Sequence, residues 1–327
     1  MEENKNNSQQ QTQYKKSYSR EQYDKLVDNF VKKLESSENI GSWKKSWSRP
    51  MPKSAISQNE YSGINILSLM NNEYDSNYWI TKKQIESLGG EVKEGQEDKT
   101  RDIFFLKDVI KKEETTNKET GEIEEKDKKY TVLKSYKVYN TNDVEGINFN
   151  FENEHKTQNQ KTEEIESFVK NLNIKMMYGE PAYSPRDDTV FMPRIEDFKS
   201  SEDYNNTLFH ELTHASGNQD RLNRQEKLWK KYDSKTAYAM EELVAELGSC
   251  FLSSKFEIDM SETKNVEYLN SWIKAIKEKP YILFSMASHA SKSTNYLQNL
   301  AKRNEQAQSK NNDKSKSKNK FNTPKVA

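Results

Sequence analysis

The stretch His210-Glu211-Leu212-Thr213-His214 decides how the second half of this chain is read. An HExxH on a helix places two imidazoles one turn apart, where both can ligate one cation, and keeps the intervening carboxylate off the metal, where it can deprotonate a bound water. The chain has only four histidines in 327 residues, and two of them stand here. The flanks are helical. Ser200, followed three residues later by Asp203, resembles a capping box; Tyr204, Leu208, Leu212 and Ala215 recur at helical spacing, and Gly217 ends the run. At 100° per residue His210 and His214 point away from the Leu208/Leu212 stripe, with Glu211 on the flank between the two faces.

A catalytic zinc usually takes three protein ligands and a water, so a third ligand must come from elsewhere. The candidates lie in a second helical segment, 238–248, whose apolar face is Met240, Leu243, Val244 and Leu247, continued by Phe251. Glu242 and Glu246 share another stripe, one turn apart. Such a pair commonly marks a solvated face. Here the small residues Ala245 and Gly248 would let this helix approach the first closely, which favours burial. Glu242 is the expected third ligand, 242 − 214 = 28 residues beyond the second histidine. Glu246 is expected to orient a ligand histidine, and Glu241, on a different face, to lie at the surface. The choice among the three glutamates stays open.

These residues carry a resemblance. From residues 182–193, through FHELTHASGNQDRLNR, to YAMEELVAELGSCFL and Tyr268-Leu-Asn-Ser-Trp272, the C-terminal half resembles the zincin-like metallopeptidase domain of ArdC-type antirestriction proteins. In zincins of the gluzincin type the third ligand is a Glu on a helix after HExxH, often with an acidic residue one turn later. That pattern falls on Glu242 and Glu246. In the first half an amphipathic helix over 23–34 is followed by Ser42-Trp43-Lys44-Lys45-Ser46-Trp47, by Tyr61-Ser-Gly63-Ile64-Asn65, and by Tyr78-Trp79-Ile80-Thr81 leading to Leu88-Gly89-Gly90. This order is similar to the ArdC-type N-terminal domain, and the resemblance implies single-stranded-DNA binding. It covers roughly residues 20 to 300.

The residue types suit that role. Trp43, Trp47, Tyr61, Tyr78 and Trp79 offer stacking faces worth about 1–3 kcal/mol per base, and Lys44, Lys45, Arg49, Lys53, Lys82 and Lys83 are interleaved to meet phosphates. Trp43-Lys44-Lys45-Ser46-Trp47 is the leading candidate, because both tryptophans flank lysines in a segment without a core pattern. Fifty-two basic residues balance 52 acidic ones, so a uniformly basic DNA-binding surface is excluded and any nucleic-acid face is a local patch. The lone Cys250 excludes an internal disulfide framework and fits a reducing, cytoplasmic setting. No signal peptide or membrane span is visible, and no membrane partner is expected.

The fold class expected is α+β in two domains. Residues 1–18 read as a disordered tail, 19–148 as an α+β single-stranded-DNA-binding domain and 149–163 as a polar linker. Residues 164–302 read as a mainly helical zincin-like domain with a small sheet, and 303–327 as a disordered basic tail. In the first domain 102–108 and 130–140 are strand-like, with 113–129 as an extended hairpin tip. In the second, 188–192 should be the strand beside the metal cleft, along which a peptide could add.

The function expected is single-stranded-DNA binding joined to a zinc-dependent metallopeptidase, serving antirestriction or DNA protection for a plasmid or phage. Zn2+ held by His210, His214 and Glu242 would activate water, Glu211 would serve as general base, and Tyr238 is the candidate for stabilising the oxyanion. The partners implied are single-stranded DNA and an unidentified protein substrate. The alternative is a non-enzymatic single-stranded-DNA-binding protein with a structural or inactive metal site.

Overall fold

The strand expected over residues 130–140 is the inner part of a longer one. In the computed structural model, which describes residues 17–36, 50–70, 74–116, 123–151, 156–260 and 268–320, β4 (Thr100–Thr116) and β5 (Ile123–Asn140) pair antiparallel from Thr100↔Tyr139 out to Thr116↔Ile123. The stretch expected as a hairpin tip is therefore mostly paired strand. Its charges explain why the outer ribbon holds register in water: Lys112–Glu125, Glu113–Lys128 and Asp108–Lys129 meet across the strands at 3.1, 2.9 and 2.8 Å. Each exposed pair contributes little, but like charges at these positions would oppose pairing. Only the inner end carries core residues, with Phe104 and Val138 buried while Ile110 and Ile123 stay exposed.

Around that inner end the N-terminal elements assemble a four-stranded sheet in the order β1-β2-β5-β4, where β1 is Lys53–Ser54 and β2 is Tyr78–Ile80. Two helices, α1 (Tyr18–Ser36) and α2 (Ile64–Leu69), pack on it, and the short helix α3 (Lys82–Ser87) leads to a two-stranded sheet of β3 (Glu91–Val92) and β6 (Val144–Glu145). Thr81 and Gln84 cap α3 reciprocally.

The C-terminal part is mainly helical. It runs α4 (Gln158–Leu172), β7 (Lys175–Tyr178), β8 (Ala182–Ser184), β9 (Thr189–Met192), α5 (Ser201–Ser216), α6 (Arg224–Lys231), α7 (Ser234–Lys255), α8 (Leu269–Glu278) and α9 (Tyr281–Lys320). The three strands form one sheet in the order β7-β9-β8, with β7 parallel and β8 antiparallel to β9. The strand expected beside the cleft, 188–192, thus supplies the central strand, and β8 is an edge. Two boundaries also differ. Thr157 starts α4 inside the stretch read as linker, and α9 continues through 303–320, where a tail was expected.

This is a two-domain α+β architecture in which the hydrophobic core crosses the domain boundary. Tyr23, Val27, Phe30, Val31 and Leu34 of α1 share one cluster with Leu243, Leu247 and Phe251 of α7, Trp272 and Ile276 of α8, and Leu283 and Met286 of α9. Polar ties run the same way: the Tyr23 hydroxyl donates to the Pro280 carbonyl at 2.8 Å, and the Gly63 amide donates to Ser291 Oγ at 2.6 Å. A second cluster joins α4, β9, α5 and α9 through Phe168, Val190, Leu208, Phe209, Leu212 and Leu297. Because α1 completes the C-terminal core, the two halves should unfold together. We expect Phe30→Ala to cost about 3–5 kcal/mol and to preserve one urea transition followed by both tryptophan fluorescence and far-ultraviolet dichroism; two separated transitions would show that the halves fold independently.

Candidate metal centre

Helix α5 begins where the sequence indicates, with Ser200 Oγ accepting from the Asp203 amide at 3.1 Å, and Gly217 at its end. Leu208, Phe209, Leu212 and Ala215 are buried and fix the helix's rotation about its axis. That rotation brings the rings of His210 and His214 edge to face, 4.7 Å apart between centroids, with Nε2 atoms 3.1 Å from each other. Glu242 reaches them from α7. Its Oε2 lies 3.4 Å from His210 Nε2 and its Oε1 3.5 Å from His214 Nε2. Among the described residues, His210, His214 and Glu242 form the group whose ligand atoms converge closely enough to hold a cation.

The spacing itself tests the fit. Metal bonds of 2.0–2.1 Å in tetrahedral geometry put ligand atoms about 3.3 Å apart; the two Nε2 atoms are 3.1 Å apart, and the Glu242 carboxylate straddles them, Oε2 at 3.4 Å from one and Oε1 at 3.5 Å from the other. The remaining face opens on a cleft of about 420 Å3 lined by Glu211, Tyr238, Tyr268, Trp229 and residues of β8. Glu211 is buried, and it lines the cleft without belonging to the triad.

Behind the ligands stands a layer of carboxylates. Glu246 Oε1 lies 3.5 Å from His210 Nδ1, and Glu241 Oε1 lies 3.2 Å from His214 Nδ1. Carboxylates at Nδ1 favour the tautomer that presents the Nε2 lone pair to a metal. Burial alone would lower the pKa of His214, yet its hydrogen bonds to the acceptor carboxylates of Glu241 and Glu242 outweigh it and push it up to about 10. Glu242 is correspondingly held well below the ordinary carboxylate range: burial opposes this, and both histidines overcome it. A site this rich in carboxylate is built to hold positive charge.

Glu241 is therefore not at the surface. It is 2 % exposed, because α7 is buried along almost its whole length and has no wet face for a third glutamate to occupy. Its charge is balanced by Arg224, which sequence reasoning left without a role. Arg224 is 1 % exposed, and donates through Nε to Glu241 Oε2 at 2.8 Å and through Nη2 to Oε1 at 2.6 Å. Its other hydrogens go to Ser293 Oγ, Ser216 Oγ and the Thr213 carbonyl, at 2.6, 3.1 and 2.8 Å. Burial tends to raise the Glu241 pKa, but Arg224 holds it down to about 2. A Cβ on Gly217 would come within 2.6 Å of Arg224 Nη2, so the glycine ending α5 also leaves room for the guanidinium.

Tyr238 lines the cleft one turn before Glu242 and is about half exposed. Burial, the charge of Glu242 and contact with Tyr268 raise its pKa, so the phenol keeps its proton and remains a donor.

Comparison with known proteins follows the same division. Residues 20–139 match the family described as the N-terminal domain of anti-restriction factor ArdC, and residues 163–289 match the family of zincin-like metallopeptidases. The fold resembles the metal-free crystal structure of antirestriction ArdC protein from plasmid R388, at 28 % identity and a TM-score of 0.65, covering 86 % of this chain and 98 % of that one. The chain belongs to the ArdC type of antirestriction proteins. The Mn(II)-bound structure of the same R388 protein matches with a TM-score of 0.63 and 27 % identity, over 85 % of this chain and 97 % of that one. DNA primase TraC of Escherichia coli is 27 % identical over 84 % of this chain, which spans only 27 % of the primase's length.

Within the ArdC-like domain, the structure uses several of the expected stacking aromatics internally. Tyr78 is 5 % exposed and lies flat on Phe151, centroids 3.6 Å apart. Trp79 is 2 % exposed and meets Tyr74 edge to face. Both sit on β2, which has neighbours on both sides in the sheet and both faces covered. Tyr61 is half-buried against the cluster of Leu69, Trp79 and Val138. Trp43, Lys44, Lys45 and Trp47 lie outside the described residues.

The Arg224–Glu241 pair yields a direct test. Arg224→Ala leaves a carboxylate buried without its counter-charge, and we expect a loss of about 3–5 kcal/mol in urea unfolding. Arg224→Ala paired with Glu241→Ala should lose less than the two single costs summed; simple additivity would mean that the pair does not act as a unit.

Proposed function

We propose that this protein binds single-stranded DNA in antirestriction or DNA protection for a mobile element, and holds Zn2+ at His210, His214 and Glu242. The observation carrying the metal assignment is the convergence of two imidazole nitrogens and one carboxylate, a donor set suited to Zn2+. The R388 relative has a Mn(II)-bound structure, which supports cation binding without fixing the metal here. For equal concentrations, imidazole and carboxylate donors favour zinc over manganese. DNA binding is supported by the ordered match of residues 20–139 to the ArdC N-terminal domain.

A second reading, peptide hydrolysis at the same centre, is favoured by the position of Glu211. A bound Zn2+ would supply Lewis acidity, polarising a scissile carbonyl and lowering the pKa of water. Glu211 lines the cleft next to His210 and would accept the water proton, then deliver it to the leaving amine. Tyr238, kept protonated, would donate a hydrogen bond to the developing oxyanion. Glu241 and Glu246 would hold the two histidines in the ligating tautomer, and β8 would offer an edge to an extended peptide.

Metal analysis with a peptide-cleavage screen separates the readings. The wild type should take up one Zn2+ in preference to Mn2+; His210→Ala, His214→Ala and Glu242→Ala should lose it, and Glu241→Ala and Glu246→Ala should keep it with about 10–100-fold weaker affinity. Glu211→Gln should keep zinc and abolish cleavage. A zinc-loaded wild type that cuts nothing leaves the site as a structural or inactive centre, and cleavage retained by zinc-loaded Glu211→Gln removes the general-base role.

The DNA reading has its own test. Full-length protein should prefer single strands to duplex, bind equally with and without chelator, and weaken with salt as phosphate contacts release counterions. Fluorescence anisotropy on labelled oligonucleotides measures all three, and a zinc requirement or indifference to strandedness would contradict it.

A further inference from the structure

A groove of about 700 Å3 lies between α1 and the inner end of β4, and the metal centre makes no use of it. Along α1 it is lined by Lys25, Asn29, Lys32 and Lys33, and across from them by Arg101 and Asp102 at the start of β4. Lys25, Asn29, Lys32 and Lys33 follow helical spacing, so one face of α1 presents them as a stripe about 12 Å long from Lys25 to Lys33. All three lysines are exposed.

Charge is sorted on this helix. Glu21, Asp24, Asp28 and Glu35 do not line the groove; Asp24 is paired with Arg20 at 2.9 Å, and Glu35 with Lys277 at 2.5 Å. Among the described residues lining the groove, four cationic side chains accompany one carboxylate, in a chain whose total charge is zero. The opposite face of α1 is buried through Tyr23, Val27, Phe30 and Leu34, which holds the stripe rigid at the surface. A concave, elongated cationic surface of this kind suits a polyanion. A duplex, a convex cylinder, would meet only its rim, whereas one extended strand can lie along it.

We propose that this groove is the track for the phosphates of single-stranded DNA, with Lys25, Lys32, Lys33 and Arg101 as phosphate contacts and Asn29 as a hydrogen-bond donor between them. The assignment rests on the DNA-binding reading above and gives it a location. Among the described residues lining the groove, Phe104 is the one aromatic side chain and it is buried, so these residues offer a phosphate track and no stacking face. Each neutralised phosphate on a single strand contributes a slope of about 0.7 in log K against log salt, equivalent to about fourfold in affinity at 0.15 M salt.

The test compares full-length wild type with Lys25→Gln/Lys32→Gln/Lys33→Gln by anisotropy on a labelled single-stranded oligonucleotide across a salt series. Binding should weaken roughly fiftyfold at 0.15 M salt, and the salt slope should fall by about 2. Lys227→Gln/Lys230→Gln/Lys235→Gln, at lysines that do not line the groove, should change binding less than threefold. Asp102→Asn should tighten binding a few fold by removing a carboxylate from the groove. Because the lysines are exposed, thermal melts of the variants should match wild type. Wild-type binding with an unchanged groove variant overturns the location while leaving the DNA reading in place. No single-strand binding by wild type overturns both, and an equal loss for duplex overturns the assignment to an extended single strand.

Discussion

The metal centre depends on how closely α7 can lie against α5, and Gly248 sets that distance. A Cβ there would fall 2.5 Å from Thr213 Cγ2 and 2.6 Å from its Oγ1. Thr213 is held in place, its hydroxyl donating to the Phe209 carbonyl at 2.7 Å. Any larger residue must push the helices apart, and Glu242 rides on the moving helix. A cation held at 2.0–2.1 Å tolerates only a few tenths of an ångström in such a shift.

Close approach brings an electrostatic problem with it. Glu241, Glu242 and Glu246 are all buried on one helix, and Glu211 is buried on the other. Arg224 offsets one of these charges, and a cation among His210, His214 and Glu242 would offset more. Burying carboxylates is tolerable only with such partners. The same helix also contributes Leu243, Leu247 and Phe251 to the core that α1 completes, so the N-terminal domain is anchored on the framework that positions the ligands. The phosphate groove and the metal centre thereby share one rigid support, although no residue belongs to both.

What could be read from the residues follows how local each signal is. The HExxH helix, its Ser200 cap and the close approach allowed by Gly248 were legible because spacing along one helix, or one small residue, carries each. Glu242 could be singled out because it shares a stripe with Glu246. Glu241 was misplaced for a physical reason: deducing a wet face from the opposite apolar stripe assumes the helix has one, and α7 does not. Arg224 was invisible because its partners come from three different helices. Tyr78 and Trp79 read equally well as stacking faces or as core, and only the pairing of β2 between β1 and β5 decides for the core. The length of the β4–β5 ribbon was hidden by its charges, which look like a solvated tip until the register brings opposite signs together.

The most direct test of the centre is a crystal structure of zinc-loaded protein with anomalous data at the zinc edge. One strong peak should lie among His210 Nε2, His214 Nε2 and a Glu242 oxygen, with Glu241 and Glu246 still on the Nδ1 sides of the two rings and Glu211 uncoordinated. A peak bound by Glu241 or Glu246 in place of Glu242, or one that draws Glu211 into the coordination shell, would contradict the assignment of ligands and base.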